Sequence, residues 1–331
     1  MQEIHTIKVE ELNNNNIEQI QALYEDFKVK STTDYKFDIP PLEYEDFKNI
    51  ATQDVLKGFV LFEDSEPKGF LLYVLEQHKA IELNIIFVPD NDNQKRTVLL
   101  KAFLDCIKDK DDWNVVSYPM LGIQESFTRD ISLLGFKLIG QAIVKFKFDN
   151  IISYQILKNL TLPELPEGYR IATWQNEYFE QASQAIHDTF KTATDTNFDP
   201  RFLTLEGSKD VVNKIVSNIF GFFLPECTAV IIHNDELIGV CFADITDVLT
   251  ANIPLIGVKQ AHKNKGFGKY LLKNSVASII ESIQQGKIYA TEVNAAVETD
   301  NFAALRMYRK IGFKEDYTYP HAYLKNPKFI D

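Results

Sequence analysis

The chain has 331 residues, a length that predicts two domains of ordinary size rather than one small module. Hydrophobic residues make up 45% of the sequence and aromatic residues 12%, which excludes a mostly disordered chain. The formal net charge of -12 argues against a protein that binds nucleic acid or an anionic membrane, because both need a basic surface.

The N-terminal segment carries acidic residues where a secretion signal would carry a basic stretch followed by an apolar one. No apolar run reaches the roughly 18 residues that a membrane-spanning helix needs. Cys106, Cys227 and Cys241 are widely spaced and form no CxxC pair, so neither a disulfide framework nor a zinc site is indicated. We therefore expect a cytoplasmic protein, a monomer or homodimer, without a membrane segment or a bound metal.

The order of predicted elements is the same in both halves of the chain. The first half begins with an amphipathic helix over 17–30 and continues with a hairpin formed by 59–62 and 70–75. The second half has a helix over 177–190 and a hairpin whose turn lies at Asn234-Asp235. Prolines and a glycine between 161 and 168 mark a boundary between the halves.

Matching positions indicate an internal duplication. Gly69 and Gly239 lie in corresponding hairpins, and their separation along the chain equals that of Val88 and Val258, which each end a predicted strand. A Gly-Phe pair also recurs near the end of each half, at 135–136 and 312–313, with a slightly wider separation. A few inserted loop residues would explain the difference.

The segment from 253 to 285 predicts an anion-binding turn. A strand over 253–258 is followed by a basic loop and by a helix that runs to about Gln285, with Gly286 placed to end it. Gly266 and Gly268 would let a ligand approach the first N–H groups of that helix, where the macrodipole is positive. The alternative is a tight turn with solvated lysines.

A second strand and a short helix follow. The strand is predicted over 288–297, and the helix begins after Asn301, a plausible N-cap, and ends at Gly312. Together with the Lys-Asn-Lys-Gly-Phe-Gly loop at 263–268, the stretch Asn-Phe-Ala-Ala-Leu-Arg-Met-Tyr-Arg-Lys-Ile-Gly-Phe at 301–313 resembles the GNAT acetyltransferase superfamily. The resemblance is clear over about 228–320 and fainter in the first half.

The resemblance implies a mixed α/β sheet that splays between the two strands, with acetyl-CoA as cosubstrate in the opening. Tyr308 would lie near the sulfur as the general acid, and Asn301 along the distal arm of the CoA. The remaining cofactor-binding positions that it implies are the backbone of Ile256, Gly257 and Val258 for the pantetheine, and Lys263, Asn264, Lys265, Gly266, Phe267, Gly268 and Lys269 for the pyrophosphate.

The base of the reaction is less clearly indicated. Some protein-amine acetyltransferases of the superfamily carry Glu at the position that is Ala296 here, and strand alternation places Glu292 and Asn294 on the same side as Ala296. Glu292 is therefore the predicted base. Asp244, Asp247, His321 and solvent are the alternatives.

The first half resembles a degenerate copy of the same module. The two separations place Arg96 and Val98 opposite Gly266 and Gly268, and Gln124 and Ile131 opposite Asn301 and Tyr308. We therefore expect two tandem GNAT-like domains: a non-catalytic one over 1–150, a linker over 151–167 and a catalytic one over 168–331.

The predicted function is transfer of an acetyl group from acetyl-CoA to a primary amine of a small molecule or peptide, by direct attack. Two different functions are compatible with the same sequence. One is a non-catalytic protein that binds acyl-CoA and has a regulatory role, and the other is a structural assembly protein in which both sites are vestigial.

Overall fold

A computed structural model of the protein describes residues 6–37, 40–53 and 55–329. The chain forms two compact units. Unit 1 comprises Met1–Ile139, Asn197–Asp199 and Tyr319–Asp331, and unit 2 comprises Gly140–Thr196 and Pro200–Thr318. The domain ranges that we derived from the sequence stay a prediction.

Unit 1 contains a mixed sheet with the strand order β1-β2-β3-β4-β5-β15, in which β4 and β5 run parallel and the other neighbours antiparallel. Helices α3 and α4 pack on one face of the sheet, and α1 and α2 on the other. The elements are β1 (Ile7–Glu11), α1 (Gln21–Ser31), α2 (Tyr44–Thr52), β2 (Lys57–Glu63), β3 (Glu66–Leu75), β4 (Ala80–Phe87), α3 (Asn93–Ile107), β5 (Val115–Pro119), α4 (Thr128–Leu133) and the last part of β15 (Lys314–Lys325).

Unit 2 contains two groups of strands, β6-β14-β12-β11-β8 and β13-β10-β9-β7. Helices α8 and α9 cover one face, and α6 and α7 pack against the other. The elements are most of β6 (Lys137–Lys147), α5 (Ile151–Asn159), β7 (Tyr169–Thr173), α6 (Phe179–Phe190), α7 (Leu205–Val216), β8 (Phe222–Phe223), β9 (Ala229–His233), β10 (Glu236–Cys241), β11 (Asp244–Ile245), β12 (Thr250–Asn252), β13 (Ile256–Val258), α8 (Phe267–Gln284), β14 (Glu292–Glu298), α9 (Phe302–Ile311) and the first part of β15.

This architecture confirms the predicted mixed α/β fold. Helices α8 and α9 have the predicted bounds within one residue, since their apolar stripes and terminal glycines are strong signals. Two strand predictions are too long: residues 253–255 separate β12 from β13, and β14 begins at Glu292 rather than at 288. Among the described residues, none of the helices has both the length and the apolar character needed to cross a membrane.

The structure supports the internal duplication. The turns of the two hairpins, Asp64-Ser65 and Asn234-Asp235, have the same separation as Gly69 and Gly239, and all four turn residues have positive φ, as expected for a type I′ turn. Each of the two repeated glycines lies so close to its neighbours that a Cβ atom would crowd them. These neighbours correspond: Val88 and Leu99 beside Gly69, Val258 and Leu271 beside Gly239.

The helix that follows is shifted relative to the hairpin. The separation between Leu99 and Leu271 along the chain is two positions larger than that between Gly69 and Gly239. Within the two helices, Arg96 therefore corresponds to Gly268. The pairing of Arg96 with Gly266, which we predicted from a constant separation, is therefore wrong. The inserted residues lie in the loop before α8.

Each unit completes its sheet with a strand that is distant in sequence. In unit 1, β5 pairs antiparallel with β15, as in the pair of Pro119 with His321. In unit 2, β14 pairs antiparallel with β6, as in the pair of Ala296 with Ile143. The strand beside the candidate site of unit 2 is therefore supplied by residues that precede the predicted linker. That linker itself begins with helix α5, whose Leu157 is buried in the core of unit 2.

Candidate functional site

A gap opens between β13 and β14 in unit 2. Beside it, β12 and β14 pair in parallel, and the last pair in register is Asn252 with Asn294. The N–H group of Ile253 donates to the carbonyl of Asn294 at 2.8 Å. Beyond this point β13 pairs with β10 instead, so the two strands separate. β13 is therefore the edge strand of its group.

The backbone of β13 is oriented toward this gap. Phe242 N–H donates to the carbonyl of Leu255 at 2.9 Å, so the polar backbone groups of Leu255 point to β10. Because consecutive residues of a strand direct these groups to opposite sides, Ile256 directs its N–H and C=O to the gap. Gly257 points back to β10, and Val258 is the next residue whose backbone points away from β10, with its carbonyl accepting a hydrogen bond from the Thr189 hydroxyl at 3.1 Å. The alternation leaves the backbone N–H and C=O of Ile256 directed away from β10.

The loop before α8 leaves the first N–H groups of that helix without a side-chain cap. Gly266 is the N-cap residue, with a φ of 82° in the left-handed region. Asn264 has a φ of 65°. Lys263 and Lys265 are exposed, and Lys269 is half-buried in the first turn. Open N–H groups, the positive end of a helix dipole and flexible cations together suit a phosphate group.

The two glycines of this loop serve different purposes. A Cβ atom on Gly266 would have only the Lys269 side chain nearby, at 3.7 Å, so the positive φ is what favours glycine there. A Cβ atom on Gly268 would lie 2.8 Å from the sulfur of Met307 in α9. Close packing of α8 against α9 is therefore a second reason for glycine at that position.

Aromatic packing anchors the loop. The buried ring of Phe267 lies 4.7 Å from the ring of Tyr169, which stacks on His233 at 4.0 Å. The Tyr169 hydroxyl lies 3.1 Å from Nδ1 of His262 and accepts a hydrogen bond from Lys265 at 3.3 Å. Burial, followed by the charge of Lys265, lowers the pKa of His262. His262 is therefore neutral near pH 7, and the lysines carry the positive charge of the loop.

Helix α9 carries the other two residues that the resemblance implied. Asn301 caps the helix, with its Oδ1 accepting from the N–H of Ala304 at 3.1 Å. Tyr308 is 3% exposed and packs edge-on against Phe313 at 5.1 Å. Burial, followed by the nearby Cys241, raises the pKa of Tyr308. The phenol therefore keeps its proton at physiological pH, as a proton donor must.

Glu292, the base predicted from the sequence, forms an ion pair. Its carboxylate lies 2.7 Å from the ammonium of Lys145 in β6, which also lies 3.4 Å from Asp316. Burial disfavours the charged form of Lys145, but the hydrogen bond and charge of Glu292, together with those of Asp316, outweigh it and raise the lysine pKa. The Glu292 carboxylate thus has a charged partner on the neighbouring strand of the sheet.

Asp244 has a different environment. It is fully buried at the start of β11, and its Oδ1 accepts from the side-chain amide of Asn252 at 3.2 Å. Its Oδ2 has no hydrogen-bond partner. Burial raises the pKa of Asp244 to about 7, and the Asn252 hydrogen bond opposes that rise. A carboxyl group with this pKa can take up and release a proton near neutral pH.

Asp247 and His321, two more candidates for the base, have partners of their own. Asp247 accepts from the N–H of Leu249 at 2.6 Å and so closes its own turn. His321 belongs to unit 1, where its Nε2 lies 2.7 Å from the Ser117 hydroxyl. Burial, opposed by the charge of Asp199, lowers the pKa of His321 to about 4. Neither geometry favours a role as base in unit 2.

Unit 1 repeats the geometry of the gap. Its last parallel pair in register is Glu82 with Ser117. Glu82 and Asn252 are as far apart along the chain as the two repeated hairpins, so they are corresponding residues. Ser117 and Asn294 are as far apart as the two Gly-Phe pairs, and they correspond in the same way. The β4–β5 opening of unit 1 is therefore the counterpart of the β13–β14 gap of unit 2.

Tyr118 fills the unit 1 opening. Its hydroxyl accepts a hydrogen bond from the backbone N–H of Ile86 at 3.3 Å and donates one to the side chain of Gln124. The corresponding residues of unit 2 are Ile256, whose N–H faces the gap, and Ala295, which has no side chain long enough to reach it. Unit 1 thus satisfies internally a backbone group that unit 2 leaves available.

The N-terminus of α3 is also occupied by the protein's own side chains, whereas that of α8 has no side-chain cap. The Asp92 carboxylate caps α3, accepting from the N–H groups of Gln94 at 2.7 Å and Lys95 at 3.3 Å. Arg96 is fully buried in the first turn and donates to Asn91. A carboxylate at the N-terminus and a large side chain at the position of Gly268 both oppose phosphate binding in unit 1.

Comparisons with known proteins agree with this geometry. Residues 225–315 match the family model described as an acetyltransferase (GNAT) domain, and no curated protein matches the chain. A GCN5-related N-acetyltransferase from Sphaerobacter thermophilus has a TM-score of 0.65 at 15% identity, with 98% of this chain and 97% of that chain covered. A tandem GNAT protein of the clavulanic acid biosynthesis pathway has a TM-score of 0.59 at 12% identity, with coverages of 97% and 99%.

A third structure covers this chain within a larger protein. It is the glucosamine N-acetyltransferase region of a fungal multi-domain β-N-acetylglucosaminidase, with a TM-score of 0.61 and 14% identity over 97% of this chain and 38% of that one. Within the described residues, no group of three His, Cys, Asp or Glu side chains is placed to hold a metal ion. The resemblance predicted from the sequence is confirmed: the protein has the tandem GNAT fold, and residues 225–315 match the model of the GNAT acetyltransferase domain.

Proposed function

We propose that unit 2 transfers an acetyl group from acetyl-CoA to a primary amine of a small molecule or peptide. The observation that carries this proposal is the open gap after the pair of Asn252 with Asn294, in a unit whose helix α8 has an N-terminus without a side-chain cap. The fungal structure of similar fold is named for acetylation of glucosamine, an amine, and this supports the acceptor class.

The residues of this gap suit the cosubstrate. The backbone of Ile256 and the N–H group of Val258 present hydrogen-bonding groups to a pantetheine amide, as the edge of a sheet does to an added strand. The N–H groups that follow Gly266 face a pyrophosphate, and Lys263 and Lys265 add positive charge. When bound, acetyl-CoA supplies an activated thioester carbonyl.

The reaction follows from the position of the polar groups. A neutral amine attacks the thioester carbonyl, a C–N bond forms and the C–S bond breaks. Tyr308, a phenol that holds its proton at neutral pH, donates that proton to the departing sulfur. The proton lost by the amine balances the one that the sulfur gains.

Thiol release from acetyl-CoA, followed with a panel of primary amines, tests the proposed function. We expect release that depends on one or more amines and on the intact loop, and acetylated amine as the product by mass spectrometry. Calorimetric binding of CoA without turnover of any amine would instead support a binding protein. Absence of CoA binding to the full chain would overturn both readings.

Unit 1 has a non-catalytic role in this proposal. Its opening is filled by Tyr118, and its corresponding helix is capped by Asp92. The activity of the whole chain therefore depends on unit 2 alone.

A further inference from the structure

A row of polar side chains crosses the sheet of unit 2 beside the gap. Asp244 pairs with Asn252, and Asn252 pairs with Asn294, on three neighbouring strands. Residues directly opposite each other in a sheet project to the same face, so the three side chains share one face. Phe242, two residues before Asp244, packs with α6 and α7, which identifies this face as the one opposite α8 and α9.

Buried oxygen atoms of this row lack hydrogen-bond donors. Asp244 is 0% exposed and its Oδ2 has no partner, while Asn294 is 7% exposed and its Oδ1 has none. A third such atom, Oε1 of Glu298, lies on the same side of β14. Buried polar atoms without partners are rare in folded proteins, and all three here are acceptors when the carboxyl groups are ionised. The missing groups are therefore donors.

The charged side chains near this row do not supply the missing donors. The pKa of Asp244 responds to burial and to Asn252, and no ionised group contributes to it. The adjacent strands β8 and β12 carry no charged residue. Ion pairs join Lys145 to Glu292 and Asp316, and Asp210 to Arg201 and Lys214. Glu298 on β14 is acidic, and burial together with the charges of Asp195 and Asp300 raises its pKa.

We propose that Asp244 accepts the proton of the acceptor ammonium, and that Asn294 accepts a hydrogen bond from a second donor on the same molecule. The acceptor is thus a cationic primary amine that carries a further N–H or O–H group. The proposal rests on the proposed function, and it names the base and the substrate class of that site.

The distances permit this assignment. Asn294 borders the end of the gap, at the last pair in register between β12 and β14. Asp244 and Asn294 are separated by two strand spacings, about 10 Å between backbones, so a molecule with two donors several bonds apart can reach both. A carboxylate serves as base either in direct contact with the amine or through one water molecule.

The proton balance is simple. The Asp244 carboxylate takes one proton from R–NH3⁺, which leaves R–NH2 to attack the thioester. The second N–H proton replaces the one that Tyr308 gives to the sulfur as the C–S bond breaks. The products are the N-acetyl amine and CoA thiol, and Asp244 returns its proton to water.

The test compares the pH dependence of kcat, over pH 5.5 to 8.5, in the wild type and in Asp244→Asn. The acceptors are 1,3-diaminopropane and n-propylamine, and acetyl-CoA is saturating. Asp235→Asn is the matched control, because it removes the same charge at an exposed turn where Asn is well tolerated. The thermal midpoint of each variant reports folding, and Asp244→Ser provides a second variant should Asp244→Asn not fold.

We expect the wild-type kcat to rise to a plateau above about pH 7 and the Asn variant to lose roughly 100-fold in kcat together with that break. The KM for acetyl-CoA should stay within twofold. Diaminopropane should exceed propylamine in kcat/KM by about 10-fold through the added hydrogen bond. Asn294→Leu should remove that preference.

Retained activity with an unchanged pH profile in folded Asp244 variants would overturn the assignment of the base while leaving the acetyltransferase function intact. The same conclusion would follow if Glu292→Gln, and not Asp244→Asn, removed the break. Equal kcat/KM for the two amines would overturn the substrate class. A wild type that acetylates no amine would overturn the proposed function, and the assignment of Asp244 with it.

Discussion

The Tyr118 hydroxyl accepts a hydrogen bond from the backbone N–H of Ile86 at 3.3 Å, inside the opening between β4 and β5. At the corresponding position of unit 2, Ile256 directs the same backbone group into an open gap. The difference depends on one side chain, because Ala295 stands where unit 1 has Tyr118. A tyrosine side chain thus occupies in unit 1 the position that is open in unit 2.

Replacement of Ala295 with tyrosine should close the gap of unit 2. The introduced phenol would bond to Ile256 as Tyr118 bonds to Ile86, and it would occupy the path of the pantetheine. We expect CoA affinity measured by calorimetry to fall at least tenfold, or by about 1.4 kcal/mol.

The matched control is Ala277→Tyr, which adds the same side chain at an exposed position of α8. It should leave CoA affinity unchanged. Because Ala295 is buried, circular dichroism must show that its variant is folded. A folded Ala295→Tyr protein with wild-type affinity would refute the position of the pantetheine.

A second pair of variants tests the turn before α8. Gly266 and Gly286 both have positive φ, 82° and 67°, and they lie at opposite ends of the same helix. Valine at either position strains the backbone by about 1–2 kcal/mol, because a left-handed conformation places Cβ near a carbonyl oxygen. Both variants should therefore lose similar amounts of stability in urea titrations.

Their affinities for CoA should differ. Gly266→Val places a branched side chain where the pyrophosphate approaches the N–H groups, so binding should fall by tenfold or more. Gly286→Val is distant from that loop, and it should bind CoA as the wild type does. Equal affinities in the two variants would count against a phosphate site at this turn.

Tyr308→Phe separates proton donation from binding. The substitution keeps the buried ring that packs on Phe313 and removes only the acidic proton. We expect kcat to fall by roughly 10- to 100-fold with little change in CoA affinity. Tyr289→Phe, at a tyrosine that is 64% exposed, is the control and should keep wild-type kcat. Unchanged kcat in Tyr308→Phe would leave the sulfur to be protonated by solvent.

Local signals account for most of what the sequence predicts correctly. Asn301 and Gly312 mark the ends of α9 through capping preferences that need no tertiary information. Asn234-Asp235 similarly specifies a hairpin turn from residues that accept positive φ. The order of these local elements, together with two motifs, is sufficient to indicate the fold.

Features that depend on distant residues are not predicted. Lys145 pairs with Glu292 only because β6 is the neighbour of β14, and no local property of either strand selects its partner. In the sequence, Asp244 is one of several acidic candidates for the base. Its distinguishing properties, complete burial and an oxygen without a donor, arise from packing of α6 and α7 over the sheet.

The same burial predicts an unusual dependence of stability on pH. The pKa of Asp244 is about 7 in the folded protein and close to the ordinary value of 3.8 in the unfolded chain. Between pH 4 and 7 the Asp244 carboxyl group therefore binds more protons in the folded protein than in the unfolded chain. The free energy of unfolding consequently falls as the pH rises through that range. The loss amounts to about 1.4 kcal/mol per pH unit at most.

Asn at position 244 has no charge to bury at any pH. We therefore expect Asp244→Asn to raise the free energy of unfolding by a few kcal/mol at pH 8, about 1.4 for each unit of the pKa difference, and to change it little at pH 4. Urea denaturation of both proteins at the two pH values measures this, with Asp235→Asn as the exposed control. Equal effects at pH 4 and pH 8 would contradict a raised pKa. A variant that gains stability as it loses activity would show that unit 2 keeps a destabilising carboxylate for its chemistry.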